Sequence, residues 1–259
     1  MDLKQIFADI DRLKERLKEQ RPLTGGEVER LRDEFIISFT YNSNAIEGNT
    51  MTLDETALVL REGVTIDGKP LKDHMELIGH RDACLFVEEL VRVAAPLTEK
   101  TIREIHSLVL MDRREDRGVY RRVPVTITGT NAALPQPWAV PVEMEKLLFD
   151  YHEEMQPMHP IERAALFHLR LESIHPFIDG NGRTGRLLMN LELMKEGLPP
   201  IDIKFQDRVR YIACFRAWNA TKDASLLTAL TGEYMIARLD EYLNILEIAN
   251  GRHDQAPKQ

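Results

Sequence analysis

The chain has 259 residues, 43% of them hydrophobic, which excludes an intrinsically disordered chain and suits one large domain with a sizeable core. Its 34 Lys and Arg against 42 Asp and Glu give a formal net charge of -8. That balance argues against a nucleic-acid binder that works by neutralising phosphates, though not against a nucleotide site built from a few local arginines.

Cys84 and Cys214 form neither a CxxC motif nor a disulfide framework, the N-terminus carries charges throughout, and no run approaches the roughly 18 apolar residues of a membrane span. A cytoplasmic protein with no membrane contact is expected. Leu3, Ile6, Ile10, Leu13 and Leu17 recur every three or four residues and predict an amphipathic first helix ending before Pro22. A second helix is expected from Thr24 or Gly26 through Glu27–Phe39. Glu47-Gly48-Asn49 then reads as a stop, because Gly and Asn tolerate the left-handed conformation that closes helices. Thr52-Leu53-Asp54-Glu55 has capping-box spacing and opens the next helix. Residues 63–70 read as a loop. Helices follow over Leu71–Val93 and, behind Thr98 as N-cap, to Met111.

Between Asp112 and Pro141 the helical pattern breaks. Val123, Val125, Thr126, Ile127 and Thr128 are β-formers bounded by Gly118 and Gly129, and predict a short hairpin. Helices resume over Val142–Met155 and Ile161–Ile174, the latter ending near His175 because Pro176 disfavours the α conformation in its predecessor. Leu187, Leu188, Met189, Leu191, Leu193 and Met194 are apolar on nearly all sides and mark a central buried helix that stops at Gly197. Two further helices reach Asn250, and 251–259 are expected to be a flexible tail. The expected fold is mainly α, a helical bundle around that central helix with one short β-hairpin.

The stretch from His175 to Arg186, His-Pro-Phe-Ile-Asp-Gly-Asn-Gly-Arg-Thr-Gly-Arg, carries the chemistry. A Gly-rich turn leading into a helix offers unpaired N–H groups at the positive end of the helix dipole, which is an anion site. Arg183 and Arg186 lie in the first turns of that helix, where positive charge is unfavourable unless a polyanion binds. Asp179 could share a Mg²⁺ ion with that anion. His175 is the one group in the loop able to take a proton near neutral pH. Together these parts suit nucleotidyl or phosphoryl transfer to a hydroxyl. Singly, each has a bland alternative: a His before a Pro-bounded loop, an Asx turn at Asp179, surface arginines.

The same stretch matches the Fic-family signature H-x-F-x-D/E-G-N-G-R-x-x-R at every specified position, and the resemblance extends over roughly residues 30–245. It is similar to the core of Fic enzymes that AMPylate proteins, including the animal enzyme acting on an endoplasmic-reticulum chaperone, without a counterpart of that enzyme's membrane anchor or helical repeats. The resemblance implies a Fic-type bundle whose hairpin is the family's flap. It implies that His175 is the general base for a Ser, Thr or Tyr hydroxyl of a target protein, with ATP as co-substrate and Mg²⁺ on Asp179. Gly180, Asn181 and Gly182 would shape the anion nest, Arg183 would contact phosphates and Arg186 would hold the γ-phosphate. Gly182 favours nucleotidyl transfer, since the family's kinase branch has Lys there. Phe177 would be a core anchor.

Ser43 and Glu47 are four apart and share a helical face. Alone they read as a helix end with a solvated Glu; beside the loop they resemble the family's inhibitory S/T-x-x-x-E-G/N motif. That likeness implies that Glu47 competes with the γ-phosphate for Arg186. In some relatives the matching Glu also positions a water that removes AMP. Val123, Val125, Thr126, Ile127, Thr128 and Gly129 resemble the flap that docks the target by strand addition. Asn219 matches a contributor to the adenine pocket. Tyr211, eight residues earlier, either shares that role or belongs to the helix core. Ile212 departs from the aromatic residue of close relatives, which leaves the choice of base open.

The arginines Arg113, Arg114, Arg117, Arg121 and Arg122 alternate with Asp112, Glu115 and Asp116 and read as salt-bridged surface. No metal-ligand spacing stands out among the eight histidines. Residues 1–95 are expected to be a helical region carrying the inhibitory motif, and 96–250 the catalytic core. The alternatives to protein AMP transfer are transfer of UMP or GMP, removal of AMP, and a non-catalytic nucleotide-sensing module. The partners expected are an unidentified target protein, the chain itself as a substrate, and no nucleic acid. The apolar faces of the first helix and of the last (Leu239, Tyr242, Leu243, Leu246) either pair subunits in a homodimer or pack on the core.

Overall fold

The computed structural model describes residues 2–253 apart from Arg21, Leu23 and residues 127–132, with the backbone alone for 248–253. The helices run in the order α1 Leu3–Glu19, α2 Gly25–Ile46, α3 Leu53–Glu62, α4 Leu71–Arg92, α5 Glu99–Val109, α6 Val140–Glu153, α7 Pro160–Ile174, α8 Asn181–Lys195, α9 Arg208–Thr221 and α10 Ser225–His253. Local chemistry starts them where the sequence says. Thr24 and Thr52 close full capping boxes with Glu27 and Glu55, and the Thr98 side chain accepts from the Thr101 N–H.

α8 is the central helix, buried on almost every side from Asn181 to Leu193. One apolar cluster covers it from α4, α5, α6 and α7, through Val87, Ile105, Leu147 and Phe167. A second joins it to α1, α9 and α10, through Ile6, Ile10, Tyr211 and Leu243. Ile6, Ile10 and Leu13 of α1 share this second cluster with Leu239 and Leu243 of α10, so these two faces pack inward. Arg163 of α7 reaches into α8, where its Nε donates to Glu192 at 3.3 Å and Tyr151 donates to the same carboxylate at 2.7 Å.

Three expectations change. α2 runs past Phe39 to Ile46, although its last turns are polar. Those residues are buried with partners, which periodicity does not register: Asn42 donates to Asp202 at 2.9 Å and accepts from the Phe205 N–H at 2.9 Å. Ser38 donates to Asp202 at 2.6 Å, so the end of α2 is tied to the segment after α8. α10 continues through His253, making the first residues of the expected tail helical. The hairpin is not found: among the described residues of 112–136 there is no strand. The Val123 and Pro135 carbonyls accept instead from the Arg121 guanidinium, at 3.4 and 2.6 Å. Ile127, Thr128 and Gly129 lie outside the described residues.

Three histidines are buried in this frame. Burial pushes His106 down to about 4 and His168 to about 3, and it also lowers His80, so the three are neutral. An unfolded histidine has the ordinary value of 6.5. Their contribution to stability is therefore whole above that value and is lost as the pH falls below it, because only the unfolded chain takes the protons. The unfolding free energy from urea titrations should fall between pH 7 and 5, by about 1–2 kcal/mol for His106, and replacing His106 with Gln should flatten that fall. The α1–α10 contact gives a second test. A Cβ on Gly232 would stand 2.3 Å from Ile6 Cγ2. Gly232→Ala should cost about 1–3 kcal/mol, read as a lower Tm, and the Gly232→Ala/Ile6→Ala double variant should lose less than the sum of the two.

Candidate active site

α7 ends on His175, which sits in the left-handed region at φ 49° and ψ 60°. Pro176 stops the helix there, and the imidazole lines a cleft of about 800 Å³. The imidazole Nδ1 lies 3.2 Å from Glu172 Oε2, one helical turn earlier, so the carboxylate can hold the ring with Nε2 free toward the cleft. The loop that follows is pinned twice. Asn181 accepts from the Phe177 N–H and donates to its carbonyl, both at 2.9 Å. Phe177 stacks on His106 with centroids 3.6 Å apart. His106 Nε2 donates to the Asp179 carbonyl at 2.9 Å, and its Nδ1 accepts from the Gly118 N–H at 3.0 Å.

Gly180 caps α8 at φ 78°, where an added Cβ would be strained and would press on His106 and Val109. The Thr184 N–H bonds back to the Gly180 carbonyl at 3.0 Å. The amides of Asn181, Gly182 and Arg183 precede the helix's own acceptors and form the positive end of its dipole. The loop's composition predicts this geometry, with amides at the positive end of a helix dipole.

Arg186 is buried at this end, and α2 supplies most of its acceptors. Its Nε donates to Ser43 Oγ at 2.9 Å, and its Nη2 donates to the Ser43 carbonyl and to Glu47 Oε1, each at 2.8 Å. Its Nη1 donates to the Tyr211 hydroxyl at 3.2 Å, and that hydroxyl is hydrogen-bonded to His168 Nε2 at 2.5 Å. Glu47 comes so close to α8 that a Cβ on Gly182 would stand 2.3 Å from its Oε1. Gly182 is thus the residue that admits the carboxylate. Arg183 turns to other partners: Glu76 Oε1 at 3.0 Å, Asn44 Oδ1 at 3.3 Å and Asp179 Oδ1 at 3.3 Å.

Asp179 lines the cleft, with Oδ1 accepting from the Gly180 N–H at 2.6 Å and Oδ2 lying 3.2 Å from Arg113. Burial would raise its pKa, but Arg183, the Gly180 amide and Arg113 outweigh it and hold the carboxyl below its usual range. Among the described residues no three metal-ligating side chains gather. One ionised carboxylate facing an anion site nevertheless fits Mg²⁺, which takes one or two carboxylates and completes its shell with phosphate oxygens and water.

Tyr211, Ile212 and Asn219 of α9 also line the cleft, and Thr126 reaches it from the expected hairpin. Val123 is half exposed. The structure thus brings Glu47, His175, Asp179, Gly180, Asn181, Gly182, Arg186, Tyr211, Asn219 and Thr126 to one cleft, while Ser43 and Arg183 lie buried behind it.

Sequence reading missed several contributors. Glu172 was discoverable, since three residues before His175 is the same helical face. His106 and His168 gave no sign, because each acts across a long-range contact. Arg208, Arg216 and Lys222 add positive charge to the cleft. The arginine-rich segment is salt-bridged only in part: Arg113 pairs with Asp112 at 3.9 Å and with Asp179 at 3.2 Å, but Arg117 donates to the Ser107 carbonyl at 2.8 Å, and Arg121 is buried on backbone carbonyls.

Comparison with known proteins agrees with this architecture. The Fic/DOC family profile matches residues 96–193. A protein adenylyltransferase Fic of Nematostella vectensis is 39% identical over 178 residues, which is 66% of this chain and 40% of that protein. Its Drosophila melanogaster counterpart is 38% identical over 191 residues, 73% of this chain and 38% of that protein. The chain therefore spans about two-fifths of the length of these relatives. Among solved structures, a Fic domain containing signaling protein from Bacteroides thetaiotaomicron superimposes with a TM-score of 0.84 at 30% identity, covering 92% of this chain and 98% of that one. Fic-1 from C. elegans gives a TM-score of 0.85 at 27% identity, covering 95% of this chain and 73% of that one. With the family profile matched over residues 96–193 and 98% of the bacterial domain covered at 30% identity, the chain belongs to the Fic/DOC family.

Proposed function

We propose that the chain is a protein adenylyltransferase that moves AMP from ATP to a hydroxyl of a target protein and is restrained by Glu47. The observation that carries this reading is the Glu47 carboxylate seated on Arg186, at the N-terminus of α8 and in the same cleft as His175. The adenylyltransferase names of the relatives support the same chemistry.

In this reading the amides of Asn181 and Gly182 and the Arg186 guanidinium bind the ATP phosphates. Asp179 would hold Mg²⁺, which supplies neutralising charge to those phosphates when bound. Arg183, turned toward Asp179, keeps that carboxylate ionised and placed. Tyr211 and Asn219 flank the nucleoside, and residues 123–129 dock the target. His175 Nε2 takes the proton of the target hydroxyl, whose oxygen bonds to the α-phosphorus. The bond from that phosphorus to the bridging oxygen breaks, and pyrophosphate leaves. Glu47 blocks the sequence by occupying the guanidinium that the γ-phosphate needs. Residues 1–95 then act as the restraining region and 96–250 as the catalytic core. The free, buried Cys84 and Cys214 support a reducing, cytoplasmic setting.

The test uses α-labelled ATP with Mg²⁺. Glu47→Gly should raise protein-bound label strongly, on the chain itself or on lysate proteins, and His175→Ala in that background should abolish it. Label unchanged by Glu47→Gly in a folded protein would refute the restraint, and label from UTP or GTP alone would replace AMP as the group transferred. Glu172→Leu in the Glu47→Gly background should lower kcat about tenfold, through a less well oriented base, and leave ATP binding unchanged.

A further inference from the structure

His168 of α7 is fully buried and stands behind the cleft rather than in it. A buried imidazole normally pairs both ring nitrogens. Here Nε2 lies 2.5 Å from the Tyr211 hydroxyl, while Nδ1 has no hydrogen-bond partner among the described residues. Nδ1 is turned against α8 at Gly185, where a Cβ would overlap the ring. Phe215 meets both rings edge-on, with centroids 5.3 Å from His168 and 4.9 Å from Tyr211. The polar ring is thus seated on α8 beside the one hydroxyl that is bonded to Arg186.

A guanidinium only donates, so the Tyr211 oxygen accepts from Arg186 Nη1 at 3.2 Å. The hydroxyl proton is then left for His168 Nε2. With the ring proton on Nδ1, that N–H alone goes unpaired; with it on Nε2, the hydroxyl proton and the Nδ1 lone pair both would. Burial, with the Arg186 charge beside it, holds the imidazole neutral, its pKa down at about 3. The donors of Arg186 divide accordingly. Nε serves Ser43 Oγ, Nη2 serves the Ser43 carbonyl and Glu47, and Nη1 serves Tyr211. Ser43 fixes one edge of the fork and Tyr211 the other. Departure of Glu47 opens one N–H on each terminal nitrogen, the paired arrangement that matches phosphate oxygens.

We infer that His168 is a positioning residue: by accepting the Tyr211 proton it fixes that oxygen as the acceptor of Arg186, and so keeps the fork aimed at a γ-phosphate once Glu47 has left. This rests on the transferase reading above, in which Arg186 binds the ATP phosphates. The γ-phosphate is present in ATP and absent from ADP. The ratio of the two affinities therefore reports on the fork, whatever either affinity does alone.

The parent for the test is Glu47→Gly/His175→Ala, which binds without turnover, titrated with ATP and with ADP in the presence of Mg²⁺ by calorimetry. His168→Leu should cut the ATP-over-ADP preference at least about fivefold. Tyr211→Phe should cut it by the same factor, and the two together by no more than either alone. His168→Gln, which returns an acceptor, should stay within about twofold of the parent. A preference unmoved by His168→Leu or by Tyr211→Phe, losses that add in the double variant, or a Gln variant as poor as the Leu variant would overturn the role of His168. Where His168→Leu does not fold, Tyr211→Phe and His168→Gln decide by the same criteria. A parent that prefers ADP or does not discriminate would overturn the placing of the γ-phosphate on Arg186, and this inference with it. A parent that binds neither nucleotide would overturn the transferase reading itself.

Discussion

An arginine cannot shed its charge, so burying one obliges the surrounding structure to deliver acceptors to a planar fork. Arg186, with a side chain 2% exposed at the start of α8, makes that demand here. The acceptors come from the last turn of α2, through the Ser43 hydroxyl, the Ser43 carbonyl and the Glu47 carboxylate, and from Tyr211 of α9. Three helices distant in sequence are thereby set at one point. The polar end of α2 can be buried because Asp202, Phe205 and Arg183 supply its remaining partners. The positive end of α8 and its loop take their positions from the same junction.

The two kinds of acceptor at Arg186 differ in permanence. Ser43 is fully buried, and its bonds belong to the fold. The Glu47 side chain is 38% exposed against 2% for its partner. A half-exposed carboxylate contributes modestly to stability, since water and salt compete for it. Exchanging it for a polyanion therefore leaves the helices in place. On the proposed function, restraint and phosphate binding differ by one bond of the fork. Gly182, which leaves room for the carboxylate, sits within the anion nest itself.

The His175 imidazole, the base of the proposed function, is held by three unlike devices. Glu172 faces its ring, Pro176 ends its helix, and Arg121 holds its carbonyl. Behind the loop, His106 and Phe177 stack, and His106 bonds the Asp179 carbonyl, so the loop's backbone rests on a neutral, buried platform. On the proposed function this loop carries a base and a metal-binding carboxylate, and such support matters because small displacements of reacting groups cost large factors in rate.

Much of this was legible locally. Capping boxes at Thr24 and Thr52, the stop at Gly197 and the all-round apolar α8 follow from nearest-neighbour chemistry and period, which act within a turn or two of helix. The loop from His175 to Arg186 was legible because its function requires residue types in a fixed order. Among the described residues of the predicted hairpin no strand forms, and a side chain, Arg121, takes the carbonyls of Val123 and Pro135. The last turns of α2 were invisible to periodicity because they bury polar groups. The sequence by itself determined the helices, their caps and the chemistry-bearing loop, since each depends on residues close in the chain. Only the tertiary structure decided that Arg186 meets Ser43 and Glu47, that Arg183 turns to Glu76, and that Arg121 is buried. Each of those is the pairing of a buried charge with acceptors far away in the chain, and burial is a property of the packed whole.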